Sequence, residues 1–412
     1  MKASENNSMT ARAPKQRKLL FSAGLSWMFD AMDVGIISFI AAALAVEWSL
    51  TPQQTGFFTA INSVGMAFGA AIAGYMADKF GRKSVLLWTL LIFSIASGLS
   101  AVATGFAVLC VLRFIAGFGL GGELPVASTL VSESVPAKER GRAVVLLESF
   151  WAAGWIAAAL ISYFVIPSYG WQAAFLIGAT PALYALYLRK SIQDPPRFKK
   201  QAARGEGKGL SFMERFRSVW TGPYRRSTIM LWILWFTVVF SYYGMFLWLP
   251  SVMIIKGFTL VKSFEYVLIM TLAQLPGYFT AAYFIEKFGR KFVLVLYLVL
   301  TAASAAWFGN ADTEGMLLAS GICLSFFNLG AWGGMYAYTP ELYPTKVRST
   351  GVGLAASFGR IGGIIAPYLV GVLVARQVAI GGIFWMFFIT VLVGAVAVFF
   401  LGVETKGKEL VD

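Results

Sequence analysis

Six charged side chains lie in stretches of the sequence that are otherwise apolar, and their types limit the chemistry of the protein. They are Asp30, Asp33, Arg113, Glu123, Glu148 and Arg360. An ionised Asp or Arg at the centre of a membrane helix costs about 2.5–3.5 kcal/mol, so each needs a partner or a function. The chain contains no His, which excludes Ser-His-Asp catalysis and His-ligated metal sites and leaves any proton relay to carboxylates. We expect neither an enzyme nor a metal or cofactor site.

Two of the acids, Asp30 and Asp33, are three residues apart and therefore lie on one face of a helix. Two partly desolvated carboxylates at this spacing do not both ionise readily, so at least one could carry a proton at neutral pH. The alternative is a structural pair held by a neighbouring Arg. Glu123 lies near the middle of another apolar stretch and is a candidate for a second proton station.

Arg360 is a natural anchor for a carboxylate, because its planar guanidinium binds one through two hydrogen bonds. The alternative is that Arg360 pairs with an acidic side chain of the protein on a helix across the bundle. Neighbouring apolar stretches carry aromatic and amide side chains that could contact the ring of a substrate: Tyr242, Tyr243, Gln274, Asn328, Trp332 and Tyr336. This set fits an anionic, planar substrate with one ring.

The elements that must position these residues are membrane helices. The 412 residues are 58% hydrophobic and only 13% charged, against about 25% charged in soluble domains. Apolar stretches of roughly 20 residues separated by short charged loops predict an all-α integral membrane protein with about twelve spans. We place them at 19–46, 55–77, 84–104, 106–132, 143–165, 171–189, 228–250, 264–285, 292–309, 315–340, 349–375 and 379–402.

The basic residues indicate the orientation. The net charge is +14, but 29 of the 34 Lys and Arg residues fall in the tails, alternate short loops and the central linker. This positive-inside bias places both termini and the linker in the cytoplasm and argues against nucleic-acid binding. The first 18 residues lack an apolar stretch of the signal-peptide type. We divide the chain into a cytoplasmic tail 1–18, a six-helix bundle 19–190, a linker 191–227, a second bundle 228–402 and a cytoplasmic tail 403–412.

The two bundles are related by an internal repeat with an offset of 208 residues. Asp78-Lys-Phe-Gly-Arg82-Lys recurs as Glu286-Lys-Phe-Gly-Arg290-Lys, and the Glu133…Arg140 loop recurs as Glu341…Arg348. Parallel six-helix repeats are a transporter architecture with the site between the halves. The buried charges do not repeat, because Asp30, Asp33 and Arg113 correspond to Val238, Ser241 and Gly321. We expect proton coupling in the first half and a fixed cation in the second.

The repeated loops predict ion pairs at the cytoplasmic rim. Exposed pairs contribute roughly 0–1 kcal/mol each, so only a network could bias a conformational equilibrium. We assign gating to Asp78, Arg82, Glu133, Arg140, Glu148, Glu286, Arg290, Glu341 and Arg348. Glu148 is included because we expect it to pair with the cytoplasmic arginines.

These motifs resemble the major facilitator superfamily along essentially the whole chain. Gly74-x-x-x-Asp78-Lys-x-Gly-Arg82-Lys is similar to its loop 2–3 signature, and the Glu…Arg loops, Pro195-Pro-Arg and Glu404-Thr-Lys-Gly resemble its sugar-porter-like branch. Phe29-Asp-Ala-Met-Asp-Val-Gly35 resembles aromatic acid/proton symporters, although Ala31-Met32 departs from their Gly-Tyr. The segments 121–133 and 146–155 are similar to bacterial niacin (nicotinate) transporters.

The resemblance implies a monomeric nicotinate importer of the bacterial inner membrane, driven by proton symport. In proton-coupled sugar porters, the acid at the position of Asp33 contacts the Arg at the position of Arg113, and protonation breaks the pair. Another small aromatic carboxylate such as a benzoate derivative is the first alternative, because Arg360 and a ring face do not specify a ring nitrogen. A transport-dead membrane sensor is a second alternative, against which the duplicated gates argue.

Overall fold

The computed structural model describes residues 2–80, 82–134, 140–184, 212–343 and 348–406. Within these ranges, the side chains of residues 2–19, 71, 74–75, 77–80, 82, 124–134, 140–142, 212, 215 and 348–350 lie outside the description. The described part of the chain is built from α-helices and two short 3₁₀ helices, Gly222–Tyr224 and Thr339–Leu342, and it contains no β-strand.

The helices of the first half are α1 (Lys2–Glu47), α2 (Pro52–Phe80), α3 (Arg82–Ser100), α4 (Phe106–Ser134) and α5 (Arg140–Gly178). A short helix, α6 (Phe212–Trp220), precedes the second half. The helices of the second half are α7 (Arg225–Phe246), α8 (Leu249–Ile255), α9 (Leu260–Leu272), α10 (Gln274–Phe288), α11 (Arg290–Gly309), α12 (Glu314–Tyr338), α13 (Arg348–Ala375) and α14 (Ile380–Leu401).

Ten helical segments among the described residues are long and apolar enough to cross a membrane. One of them, Ala143–Tyr184, has 42 residues, which at about 1.5 Å per residue is roughly twice the thickness of a bilayer core. Its helix α5 contains Pro167 and breaks at Gly170, where φ is 77°, a conformation that favours glycine. This segment therefore holds two predicted spans, and α2, with 29 residues, is long enough for one more. The all-α membrane fold with about twelve spans is confirmed.

Several boundaries differ from the prediction. Helix α1 extends back to Lys2, although the part that could cross a membrane, Leu20–Glu47, agrees with the predicted span 19–46. The predicted span 228–250 is divided between α7 and α8, and the span 264–285 is divided between α9 and α10 at Ala273. Pro250 and Pro276 lie in the first turns of α8 and α10, where a missing backbone N–H costs no helical hydrogen bond.

The end of the predicted linker is also helical, because α6 packs on the second half. The Trp220 ring lies 4.8 Å from the Trp232 ring in an edge-to-face arrangement. The Thr228 hydroxyl donates a hydrogen bond to the Val219 carbonyl at 2.6 Å. The described part of this segment is therefore packed against α7.

Glycine allows α2 and α4 to approach each other backbone to backbone. A Cβ atom at Gly65 would lie 2.1 Å from the Phe114 carbonyl oxygen, and one at Gly117 would lie 2.1 Å from the Asn62 carbonyl oxygen. No larger residue fits either position without moving a helix. This contact holds α4 in the bundle that contains α1, and so determines where Arg113 and Glu123 lie.

The two halves meet through α2 and α13 and through α5, which contacts α9, α10 and α12. Near the turn that joins α1 to α2, a Cβ atom at Gly56 would lie 2.9 Å from the Pro367 carbonyl oxygen, and one at Gly371 would lie 2.5 Å from the Pro52 carbonyl oxygen. At this end of the molecule the halves are therefore in backbone contact.

Candidate functional site

Aromatic side chains from both halves meet at the centre of the molecule and form what we call the central aromatic cluster. Its members are Trp27 on α1, Trp151 and Trp155 on α5, Tyr242 and Tyr243 on α7, and Trp332 and Tyr336 on α12. The Trp151 and Trp332 rings stack with centroids 6.0 Å apart. Trp151 Nε1 donates to the Tyr242 hydroxyl at 2.6 Å. Because α5 belongs to the first half and α7 and α12 to the second, the cluster spans the interface.

Arg360, on α13, lies beside this cluster. Its Nη1 donates to the Tyr243 hydroxyl at 2.9 Å and approaches the Met66 sulfur at 3.9 Å. The residue is 7% exposed, and among the described residues no carboxylate forms an ion pair with it. A guanidinium has five N–H donors, and only Nη1 has a partner in the described structure. The arrangement is suited to holding an anion.

Glu148 lies in the cluster and not among the charged residues of the rim, which corrects our expectation that it pairs with the arginines there. Its Oε2 accepts a hydrogen bond from Trp332 Nε1 at 3.3 Å, and the residue is fully buried. Its Oε1 has no hydrogen-bond partner among the described residues. Glu148 precedes Trp151 by three residues, so both lie on one face of α5, and packing turns that face toward α12.

Asp33 and Arg113 form a buried ion pair between α1 and α4. Arg113 Nη1 lies 3.2 Å from Asp33 Oδ2 and 3.4 Å from Oδ1. The Ser97 hydroxyl donates to Oδ1 at 2.5 Å, and Arg113 Nη2 donates to the Ser100 hydroxyl at 2.9 Å. The guanidinium also lies 4.5 Å from the centre of the Phe175 ring. Two serines and a ring thus surround a desolvated charge pair.

Asp30 lies apart from this pair and beside Glu123 of α4. Both acids are buried, and none of their carboxyl oxygens has a hydrogen-bond donor in good geometry among the described residues. Asp30 is within electrostatic reach of both Asp33 and Arg360. Of the two buried acids on α1, Asp33 has an Arg partner and Asp30 has none among the described residues. Two adjacent carboxyls without a contacting cation are suited to sharing a proton.

Gln274 and Asn328, the predicted amide contacts, are both buried. Both amide atoms of Gln274 and Oδ1 of Asn328 lack hydrogen-bond partners in the described structure. Gln274 precedes Tyr278 by four residues, and Asn328 precedes Trp332 by four, so each shares a helix face with an aromatic residue of the site. The structure thus brings Arg360 and the four predicted aromatics together, and it buries the two amides one helical turn from Tyr278 and Trp332.

Four aromatic residues in or beside the central aromatic cluster were not predicted as site members: Trp27, Trp151, Trp155 and Tyr278. Tyr278 lies against Gly333 and within electrostatic reach of Glu148, Tyr242 and Tyr336. Helical spacing was the available signal, because Trp27 precedes Asp30 by three residues and Tyr278 follows Gln274 by four.

The rim residues of the second half form a network within that half. Arg290 contacts Glu286 at 3.0 Å and Glu341 at 3.2 Å. The Thr405 hydroxyl donates to Glu341 at 2.5 Å, and the Glu404 carboxylate accepts the backbone N–H of Arg290 at 2.9 Å. These contacts tie α10, α11 and the C-terminal tail together.

The side chains of five other predicted gating residues lie outside the described part of the structure: Asp78, Arg82, Glu133, Arg140 and Arg348. A gating role for the charged rim therefore stays a prediction.

Comparison with known proteins identifies the family. Residues 20–277 and 266–411 match the Major Facilitator Superfamily. The chain is 60% identical to a protein of Bacillus subtilis (strain 168) provisionally named niacin/nicotinamide transporter NiaP, over 96% of this chain and 98% of that one. It is 47% identical to the niacin transporter NiaP of Acinetobacter baylyi (strain ATCC 33305 / BD413 / ADP1), over 95% of each chain.

Solved structures agree in fold. The proton:xylose symporter XylE bound to 6-bromo-6-deoxy-D-glucose superposes with a TM-score of 0.79 at 20% identity, covering 97% of this chain and 98% of the other. The inward-open conformation of the xylose transporter XylE from E. coli superposes with a TM-score of 0.74 at 19% identity, covering 96% and 98%. At these identities the likeness shows the fold alone. This chain belongs to the Major Facilitator Superfamily, and it is a transporter rather than an enzyme.

Proposed function

We propose that this chain imports nicotinate across the inner membrane of a bacterium, by proton symport with alternating access. The observation that carries the proposal is Arg360, a buried guanidinium between the two halves whose contacts in the described structure are a hydroxyl and a thioether. A carboxylate on its free N–H groups would supply the missing charge. The ring of the substrate would then lie against the central aromatic cluster.

The relatives support a niacin substrate. The Acinetobacter baylyi protein is named a niacin transporter, and the Bacillus subtilis protein is named for niacin and nicotinamide. Nicotinamide is uncharged at the position where nicotinate carries a carboxylate, so it would leave Arg360 unpaired. On this ground we favour the acid over the amide.

The ion pair of Asp33 and Arg113 supports proton coupling. Protonation of Asp33 would discharge the pair and free the Arg113 side chain, which gives the protein two arrangements of α1 against α4. Asp30, beside Glu123, is within electrostatic reach of both Asp33 and Arg360, so it links the proposed proton site to the proposed substrate site. In the same proposal the protein is a monomer with both termini in the cytoplasm.

A benzoate-type carboxylate is the alternative substrate, because it would satisfy Arg360 and the aromatic cluster equally well. A transport-dead sensor is a second alternative. Alternating access, and with it the gating role of the rim, distinguishes a transporter from such a sensor.

The test is uptake of isotope-labelled nicotinate into proteoliposomes that hold the purified protein. We expect accumulation that requires an inward proton gradient, collapses with a protonophore, and is competed by unlabelled nicotinate better than by nicotinamide or benzoate. Preference for nicotinamide would discredit Arg360 as a carboxylate anchor, and equal competition by benzoate would favour the alternative substrate. Accumulation that is indifferent to the proton gradient would remove proton symport from the proposal.

A further inference from the structure

Glu148 is the acid inside the central aromatic cluster, and neither the substrate anchor nor the proton route uses it. It is fully buried, and Oε2 accepts one hydrogen bond from Trp332. Its Oε1 has no partner among the described residues. A carboxyl group offers about four acceptor positions when ionised. The cluster therefore contains a buried oxygen that lacks a donor.

The missing hydrogen bond of Oε1 is costly in these surroundings unless a ligand supplies it. An ionised carboxylate without a contacting cation in an apolar interior is strongly unfavourable, and a protonated one needs an acceptor for its O–H. Trp332 supplies only one N–H, and the hydroxyls of Tyr278 and Tyr336, which are within electrostatic reach of Glu148, make no hydrogen bond to Oε1. Either protonation state leaves one hydrogen bond to be made inside the site.

Arg360 and Glu148 are placed to bind two ends of one molecule. They are within electrostatic reach of each other but form no ion pair, so their charged atoms are more than 4.0 Å apart. The stacked Trp151 and Trp332 rings belong to the cluster that contains Glu148. A planar ring with an anionic group on one side and a basic nitrogen on another matches this arrangement.

We propose that Glu148 recognises the ring nitrogen of the substrate, with one proton held between Oε1 and that nitrogen while Arg360 holds the carboxylate. The inference rests on the proposed function and names its specificity-determining residue. The proton can start on Glu148 or on the pyridinium nitrogen, and the bound state is the same hydrogen bond. Benzoate lacks the nitrogen and leaves Oε1 unpaired, so Glu148 is the group that separates a pyridine carboxylate from a benzene carboxylate.

The test measures binding selectivity rather than transport. Purified protein in lipid nanodiscs is titrated with nicotinate and with benzoate, and quenching of the intrinsic Trp fluorescence reports binding. A hydrogen bond that involves a charged group is worth enough to give a preference of about 10- to 100-fold for nicotinate in the wild-type protein. In Glu148→Leu we expect the ratio of the two affinities to fall to about one, because the binding of nicotinate weakens and the binding of benzoate does not.

Two further variants keep the test decisive. Glu148→Gln is nearly isosteric and offers a hydrogen bond without a shared proton, so its ratio should fall between those of the wild type and Glu148→Leu. Trp155→Phe alters the packing of the cluster without removing a charge, and we expect it to shift both affinities together and leave the ratio unchanged.

The outcomes separate this inference from the function on which it rests. Selective binding that is the same in the wild type and in both Glu148 variants overturns the role of Glu148 and leaves the transport proposal standing. Wild-type protein that binds neither acid contradicts both. Loss of affinity for both ligands in equal proportion would make Glu148 a packing residue and would also overturn the inference.

Discussion

Asp33 and Arg113, 80 residues apart in sequence, form an ion pair whose side chains are 1% and 0% exposed. Removing one member of such a buried pair typically destabilises a protein by about 3–5 kcal/mol, because the other charge is left uncompensated. Such a pair can act as a switch, because one proton on Asp33 neutralises its carboxylate and leaves the charge of Arg113 uncompensated.

Asp33→Asn should therefore abolish uptake driven by a proton gradient. Exchange of labelled for unlabelled nicotinate across the same membrane should persist, because it needs no net proton movement. The measurement is the ratio of gradient-driven uptake to exchange in proteoliposomes. Ser97→Ala removes the hydroxyl that donates to Asp33 but keeps the ion pair, so it should retain driven uptake. Full gradient-driven accumulation by Asp33→Asn would contradict the hypothesis that Asp33 couples transport to the proton gradient.

Arg360→Gln should weaken nicotinate binding by about 30-fold or more, because truncating one partner of a buried charged contact costs at least about 2 kcal/mol. Nicotinamide, which has no carboxylate, should bind the variant nearly as it binds the wild type. Dissociation constants for both ligands check this. Tyr243→Phe removes only the hydroxyl that accepts from Nη1 and should cause a smaller loss. An equal loss for acid and amide would argue that Arg360 has a structural role.

Asp30→Asn and Glu123→Gln should each leave the fold as stable as the wild type or more stable. Each variant removes one of two adjacent buried carboxyls that have no contacting cation in the described structure, so it relieves desolvation and repulsion rather than breaking a pair. Both should nevertheless reduce gradient-driven uptake if the acids carry a proton.

Thermal unfolding in detergent checks the stability part of this prediction, with Arg113→Gln as the comparison. That variant breaks the ion pair with Asp33 and should unfold at a clearly lower temperature. If Asp30→Asn were destabilised as much as Arg113→Gln, Asp30 would have to be held by a cation in the folded protein.

Gly117→Ala should destabilise the first half severely, because the added Cβ atom would lie 2.1 Å from the Asn62 carbonyl oxygen of α2. Gly353→Ala, within α13, is the matched control, since a Cβ atom there meets nothing within 4 Å. Replacing glycine by alanine in a helix favours the helix by about 1 kcal/mol, so the control should be neutral or slightly stabilising. The yield of monodisperse protein and its unfolding temperature are the readouts. Similar behaviour of the two variants would contradict the backbone contact between α2 and α4.

Much of the fold could be predicted from the sequence. The membrane spans follow from the length and composition of apolar stretches, because the thickness of the bilayer and the need to satisfy every backbone hydrogen bond leave only helices. The two halves follow from the 208-residue repeat of the loops around Asp78 and Glu286. The helix breaks near Pro250 and Pro276 could also have been read from the chain, since proline cannot continue a helix from the preceding turn.

The site was predictable only in part. Helical spacing indicates which residues share a face, and so it groups Asn328 with Trp332, or Glu148 with Trp151. Spacing within one helix does not say which neighbour that face meets. The expectation that Glu148 faces the cytoplasmic arginines was wrong for this reason.

The sequence by itself determined a two-half membrane transporter with acids in the first half and a lone Arg360 in the second. Only the tertiary structure decided which neighbour each acid has: Asp33 contacts Arg113, Asp30 lies beside Glu123, and Glu148 contacts Trp332. The physical reason is that the rotation and depth of each helix are set by its contacts with its neighbours, such as the glycine-mediated approach of α2 and α4. These contacts join residues far apart in the chain, and no local pattern records them.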